Sequence, residues 1–378
     1  MPQGVRVRVS PPAQIHSHLM NLEEFIPNKI NNEADDLSFS WEAPSNIALV
    51  KYWGKNSDQT PKNPSISFTL SNCKTTTTVL FKKIKNNDDL VNFDFYFEGK
   101  LNIDFRPKIE IFFTKIKKYC PYLLQYHLTI KSSNSFPHSS GIASSASGMS
   151  ALSLCIMSLE KKLTGVDDSF MYKKASFISR IGSGSACRSI YGGINFWGNH
   201  SEFSNSSDLY SVKLNKNISS NFNNYRDTIL IIDNHVKEVS SSVGHKLMNN
   251  HPLAKVRFDQ AFQNISKLKS ILSSGDLNKF CHLVEGEALM LHSLMMSSDP
   301  SYILMKPETL AVINLIKDFR KKSKIPVCFT LDAGANVHVL YPEIFTDQVM
   351  KFIKNRLLKY CENQEIITDM IGDGPKQI

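Results

Sequence analysis

The chain has no CxxC pair, no apolar run near the ~18–20 residues that cross a bilayer, and no Gly-Lys-Ser/Thr closing a glycine-rich loop. Each absence removes a class of protein. Seven cysteines, an odd number scattered through 378 residues, fit free thiols in a reducing compartment rather than a disulfide framework. The first residues, MPQGVRVRVSPPAQIHSHL, lack the hydrophobic core of a secretory signal, so a cytoplasmic protein with no membrane partner is expected. Pro11 and Pro12 break the amphipathic helix that Arg6 and Arg8 would need in a transit peptide. Residues 1–36 are therefore expected to be a poorly ordered N-terminal extension. Aromatics interleaved with basic residues are also missing: Phe81-Lys82-Lys83-Ile84-Lys85 and Arg320-Lys321-Lys322 offer no surface on which bases would stack. The formal charge of +9 thus points away from nucleic acid and reads first as a solvated charged face, with a polyphosphorylated substrate as a further reason for positive potential.

What is present is ordinary globular material. Hydrophobic content of 42% and charged content of 21% call for neither disorder nor a fibre, and the length exceeds the ~250–300 residues at which single cores stop growing. Two lobes are expected, 37–226 and 227–378. From Leu37, "LSFSWEAPSNIALV" reads as strand, turn and buried strand; "SISFTL" and "TTTTVLF" read as two strands around a Ser71-Asn72 turn. Met149, Leu152, Cys155, Ile156 and Leu159 share one face of a helix that Gly165 stops. An asparagine-rich surface connection is expected over 198–226, a strand over 228–233, helices over 245–297 and 306–322, two strands around 332–336, and a final helix over 345–361. Strands and helices mix without βαβ alternation, which predicts an α+β fold.

Four stretches can carry chemistry. In "NSFPHSSGIASSASGMSALSLCI" small residues run into a helix start, where free N–H groups suit an anion; tight packing of that start is an equal alternative. In "APSNIALVKYWGK", Lys51 and Lys55 bracket Tyr52 and Trp53 after a buried strand, as site cations or as snorkelling lysines at a strand end. "RIGSGSACRSIYGG" fails the dinucleotide fingerprint, because Cys187 stands where the third glycine belongs, and it fails the Gly-x-Ser-x-Gly elbow. It leaves a polar turn with Arg188, whose planar fork matches a carboxylate or phosphate; a structural turn carrying a surface arginine is an equal alternative. In "CFTLDAGANVHVLYP", Asp332 at a strand end beside small residues suits a base or charge stabiliser, although such an Asp more often forms an Asx turn.

In chain order these four stretches resemble the diphosphomevalonate decarboxylase family of the GHMP small-molecule kinase superfamily. The family signatures look like Ala-Pro-x-Asn-Ile-Ala-x-x-Lys-Tyr-Trp-Gly-Lys, Phe-Pro-x-x-x-Gly-x-Ala-Ser-Ser-Ala, Gly-Ser-Gly-Ser-Ala-Cys-Arg-Ser and Asp-Ala-Gly-x-Asn, found here at 43–55, 136–146, 182–189 and 332–336. The resemblance implies the two-lobed GHMP kinase α+β fold: a ribosomal protein S5 domain 2-like N-terminal lobe plus an α/β C-terminal lobe, as a homodimer. It implies ATP-dependent decarboxylation of mevalonate 5-diphosphate to isopentenyl diphosphate, ADP, phosphate and CO2. Alternatives within the superfamily are a mevalonate 5-phosphate decarboxylase and a mevalonate 3-kinase, the latter set apart because pure 3-kinases lack the Asp-Lys-Arg set.

By the same resemblance Asp332, Lys51 and Arg188 are catalytic, with Arg188 on the substrate carboxylate. Tyr52, Trp53, Gly54, Lys55, Ser183, Gly184, Ser185, Ala186, Cys187, Ser241 and Ser242 would bind substrate. Ser140, Gly141, Ala143, Ser144, Ser145 and Ser147 would cradle ATP, with Mg²⁺ near Ser144 or Ser145. The chain departs from animal and fungal members at Asn63-Pro64-Ser65, where they read Asn-Ser-Ser, and at His138-Ser139-Ser140-Gly141-Ile142. No arginine in 85–105 matches the one with which some members hold the diphosphate, which leaves the distal phosphate contacts unassigned. His138, His235, His292 and His338 read as core or surface histidines, and the cysteines as packing residues.

Overall fold

The structure is a computed structural model describing residues 22–27, 35–85, 89–137, 142–235 and 239–378. Two antiparallel-dominated sheets organise it. The larger has the order β12-β1-β2-β5-β3-β4, with β6 on β2 and β7 on β6. It is built from β1 (Leu37–Val50), β2 (Ser65–Lys83), β3 (Asn92–Phe97), β4 (Lys100–Leu101), β5 (Tyr126–Asn134), β6 (Ile194–Trp197), β7 (Ser211–Leu214) and, from the far end of the chain, β12 (Lys376–Gln377). Helices α1 (Arg106–Ile116), α2 (Ser144–Thr164) and α3 (Asp168–Gly182) complete this part, and their apolar faces meet the sheet in one core that includes Val79, Phe81, Leu128, Leu152, Ile156 and Phe177. The smaller sheet has the order β11-β8-β10-β9, from β8 (Arg226–Leu230), β9 (Cys328–Thr330), β10 (Val337–Tyr341) and β11 (Ile366–Met370). Around it lie α4 (Ser241–Leu247), α5 (Ala254–Ser274), α6 (Leu277–Met296), α7 (Pro307–Ser323) and α8 (Thr346–Phe352). This is the expected α+β class.

Several local expectations are corrected by long-range contacts. The predicted turn inside 37–50 is a bulge: β1 runs on through Pro44, and its pairing with β2 shifts register between Pro44 and Asn46. Ser71-Asn72 makes no hairpin either. The backbone N–H groups of Ser71, Asn72 and Cys73 donate to the Asp369 carboxylate at 2.7–2.9 Å, which lets β2 continue as one strand of 19 residues. The 198–226 connection contains β7, paired to β6. The final helix is short, passing at Ile353 into a π turn, and the chain then adds β11 and β12.

The extension is corrected in part. Most of residues 1–36 lie outside the described residues, but Leu22–Phe25 form a 3₁₀ turn whose Phe25 is fully buried and stacked on Phe177, ring centroids 4.1 Å apart. Burying an aromatic ring is worth ~2–3 kcal/mol, and the Lys173–Glu24 ion pair at 2.7 Å adds a second tie for the turn. At the other end, the tail passes so close to Gly192 that a Cβ there would lie 1.9 Å from the Asp373 carbonyl oxygen. Glycine is required at that crossing.

Candidate active site

Lys51 follows the buried end of β1, and its position is set by its backbone. Its N–H donates to Glu287 Oε2 at 2.9 Å, and its carbonyl accepts from Arg257 Nη2 and Asn63 Nδ2, each at 2.9 Å. Glu287 on α6 and Arg257 on α5 form a fully buried ion pair at 2.7 Å, and Asn264 donates to the same carboxylate. With the main chain held, the Lys51 side chain reaches into a cleft and Nζ donates to Asp332 Oδ1 at 3.3 Å. Burial presses the Lys51 ammonium below its usual range, and the Asp332 carboxylate works against that.

Asp332 leaves β9 on the Asp-Ala-Gly-Ala-Asn turn. Asn336 holds that turn by accepting from the N–H groups of Ile232 and Asp233, and His292 Nε2–H donates to the Asp332 carbonyl at 3.0 Å. His292 is thus a satisfied buried histidine, as expected, placed against the back of Asp332. Arg188 sits in the 3₁₀ turn Gly184–Ser189 after α3, 3% exposed, with Nε and Nη2 near Asn46 Oδ1 and Nη1 donating to Ser65. Arg188 also lines the cleft together with Lys51 and Asp332.

The other residues named from sequence divide by position. Tyr52, Trp53, Lys55, Ser183, Gly184, Ser185, Ser241 and Ser242 line the cleft with the three charged groups. Gly54, Ala186 and Cys187 do not line it. Gly54, at φ +97°, lets the 52–55 turn close against Phe258; Ala186 and Cys187 are fully buried behind the wall, and burial pushes the Cys187 thiol up to about 12, which removes it as a nucleophile. Tyr52 Oη is buried without a partner among the described residues and packs on Gly184, where a Cβ would lie 2.6 Å from it.

At the start of α2, Ala143 adopts the left-handed region (φ 50°, ψ 40°), a strained geometry for a residue with a Cβ and one that concentrates at ligand sites. Ala143 and Ser145 face the cleft, and Ser144 and Ser145 face an adjoining apolar pocket with Phe95, Phe97 and Phe105. Ser147 turns into the core, sharing a hydrogen bond of 2.6 Å with Thr75. Ser140 and Gly141 lie outside the described residues, as does His138.

Sequence reasoning missed Lys108 and His245. Lys108, in the first turn of α1, lines both the cleft and the apolar pocket; it keeps an exposed surface, and partial loss of water around its ammonium lowers its pKa. Burial also lowers Lys55, helped by the nearby charges of Lys115, Lys246 and Lys108. Lys55 and Lys108 in the cleft, with Lys115 and Lys246 close enough to act on Lys55, form a cationic rim suited to a polyanion. The signal for His245 was its spacing: it lies four residues after Ser241, on the same helical face.

Residues 43–209 match the family described as the diphosphomevalonate decarboxylase-like N-terminal domain, and residues 228–377 match the mevalonate 5-diphosphate decarboxylase C-terminal domain. The chain belongs to the diphosphomevalonate decarboxylase family. Among relatives, it is 28% identical to the diphosphomevalonate decarboxylase of Candida albicans over 335 residues, 84% of this chain and 87% of that one. Among solved structures, mevalonate diphosphate decarboxylase from Staphylococcus aureus is similar at a TM-score of 0.76 and 28% identity, covering 91% of this chain and 98% of that chain. A structure described as MDDEF in complex with MVAPP, AMPPCP and magnesium has a TM-score of 0.77 at 27% identity, covering 91% and 99%. The GHMP kinase two-lobed fold is therefore the fold of this chain.

Proposed function

We propose that the chain catalyses the ATP-dependent decarboxylation of mevalonate 5-diphosphate to isopentenyl diphosphate, with ADP, phosphate and CO2 as the other products. The observation that carries this is the convergence of Lys51, Asp332 and Arg188 in one cleft, between a cationic rim and the start of α2. The substrate is a tertiary alcohol, which leaves poorly until it carries a phosphoryl group. Asp332 is placed to take the 3-hydroxyl proton as the γ-phosphoryl group is transferred, and Lys51 to offset charge on that group. When the C3–O bond breaks, its electron pair leaves with phosphate; the C–C bond to the carboxylate then supplies the pair that forms the double bond. The Arg188 fork holds that carboxylate so the breaking bonds align. Ser144 and Ser145, hard oxygen donors at a helix start, fit magnesium bound with ATP, which screens phosphate charge.

Lys55 and Lys108, with Ser183, Ser185, Ser241 and Ser242, supply the phosphate contacts. Lys108 takes the place left without an arginine at 85–105. Incubation with MgATP and either mevalonate 5-diphosphate or 5-phosphate, with ADP, phosphate and CO2 measured, tests the reading; ADP without CO2 would identify a kinase, and equal use of both substrates would remove the diphosphate assignment. Lys108→Ala is expected to raise KM for the diphosphate about tenfold, ~1.4 kcal/mol, and to move the monophosphate little.

The division into lobes at 226–227 is supported by the start of β8 at Arg226 and by the two family matches on either side. The family resemblance supports a homodimer, for which sedimentation should return twice 42.7 kDa. Among the described residues no helix is long and apolar enough to cross a membrane. All seven cysteines are free and buried, which supports a reducing, cytoplasmic setting.

A further inference from the structure

We propose that His245 is a positioning residue that also presents a neutral hydrogen-bond donor to the phosphorylated end of the substrate, an inference that rests on the function proposed above. Its Nδ1 accepts from the Gly54 N–H at 2.9 Å. Its ring lies 4.4 Å from Tyr52 and 4.6 Å from Trp53, so the imidazole holds the 52–55 turn by one hydrogen bond and two ring contacts. That turn carries two cleft aromatics and Lys55 and begins next to Lys51. It cannot easily shift to find another acceptor, since Gly54 is at φ +97° with the Phe258 ring where a Cβ would stand. The approach is tight on the other side too: a Cβ on Gly244 would lie 2.4 Å from the Trp53 ring, so only glycine before His245 seats α4 this closely.

An imidazole that accepts at Nδ1 carries its proton at Nε2. Nε2 has no protein partner among the described residues, and His245 lines the cleft with Ser241, Ser242 and Lys55. Burial, with the charges of Lys55 and Arg188, lowers its pKa to about 3, so the ring stays neutral at working pH. A protonated ring would set one N–H against the Gly54 N–H. The cleft thus gains a donor for phosphate oxygen without adding another cation to a crowded rim.

Two variants separate the two nitrogens. His245→Asn keeps an acceptor near the Nδ1 position and removes the Nε2 donor; His245→Gln keeps a donor near Nε2 and removes the acceptor. His245→Asn should raise KM for mevalonate 5-diphosphate about tenfold with a much smaller change in kcat and in KM for ATP. His245→Gln should do the reverse, lowering kcat about tenfold through the loosened 51–55 segment while KM for the substrate moves less. Calorimetric titration of the full chain with inorganic diphosphate needs no turnover, and His245→Asn should bind it about tenfold more weakly than wild type. Equal diphosphate affinity in wild type and His245→Asn, or no binding to either, would overturn the proposal. So would parallel losses of kcat and affinity in both variants with a lowered melting temperature, which is what a purely structural histidine produces. If the wild type binds diphosphate better than His245→Asn yet releases no CO2, the functional reading fails and the diphosphate assignment stands.

Discussion

Asp332→Asn is expected to lower turnover by about two to four orders of magnitude while leaving affinity for MgATP nearly unchanged. The side chain keeps its shape, and its oxygen still accepts from Lys51 Nζ, so the geometry of the cleft survives. What is lost is the carboxylate as proton acceptor and as the charge that favours a protonated, buried Lys51. The substitution therefore acts at the reacting centre and leaves the groups at the start of α2 unchanged. Stopped assays of ADP and CO2 release, with titration by a non-hydrolysable MgATP analogue, provide the check. Near-normal turnover would take Asp332 out of the mechanism.

Glu287→Ala is expected to be as damaging by a different route. It strands the Arg257 guanidinium, which is fully buried, and breaking such a pair from one side costs ~3–5 kcal/mol. It also frees the Lys51 N–H, which now donates to Glu287. Denaturant unfolding should show the loss of stability, and kcat should fall because the Lys51 ammonium is no longer held against Asp332. Glu287→Gln, which retains an acceptor for Lys51 N–H, should recover part of both. Burial pushes the Glu287 carboxyl up, but Arg257, the Lys51 N–H and Asn264 outweigh it and hold the group below its usual range. A lowered carboxylate contributes stability above its unfolded value and loses it as pH falls through the folded one, so the difference between wild type and Glu287→Ala should shrink in acid. Unchanged stability across that variant would mean that Arg257 finds another partner.

Much of the site was legible through the family resemblance: the acid at a strand end, the lysine after a buried strand and the arginine on a glycine-serine turn each had a structural alternative when read alone, and only the four motifs taken together grouped them. The misses have common causes. Gly54, Ala186 and Cys187 belong to the same motifs as their neighbours but shape the wall from behind, and motif membership does not say which way a residue faces. Lys108 looked like one helix lysine among many; only its place at the wall shared by two cavities set it apart. In the fold, Ser71-Asn72 has turn chemistry, but Asp369, almost 300 residues away, satisfies the local N–H groups and overrides it.

By itself the sequence determined the α+β class and the kind of helix at 144–164, because periodicity is a local property, and through its motifs it offered the three charged residues as candidates. Tertiary structure alone decided that Lys51 and Asp332, separated by 281 positions, share a hydrogen bond, that the chain's last strand completes its first sheet, and that a buried arginine and glutamate hold the lysine in place. Those outcomes depend on which buried groups find partners across the fold, and a buried charge or N–H is satisfied by whatever the packing brings to it, not by its neighbours in sequence.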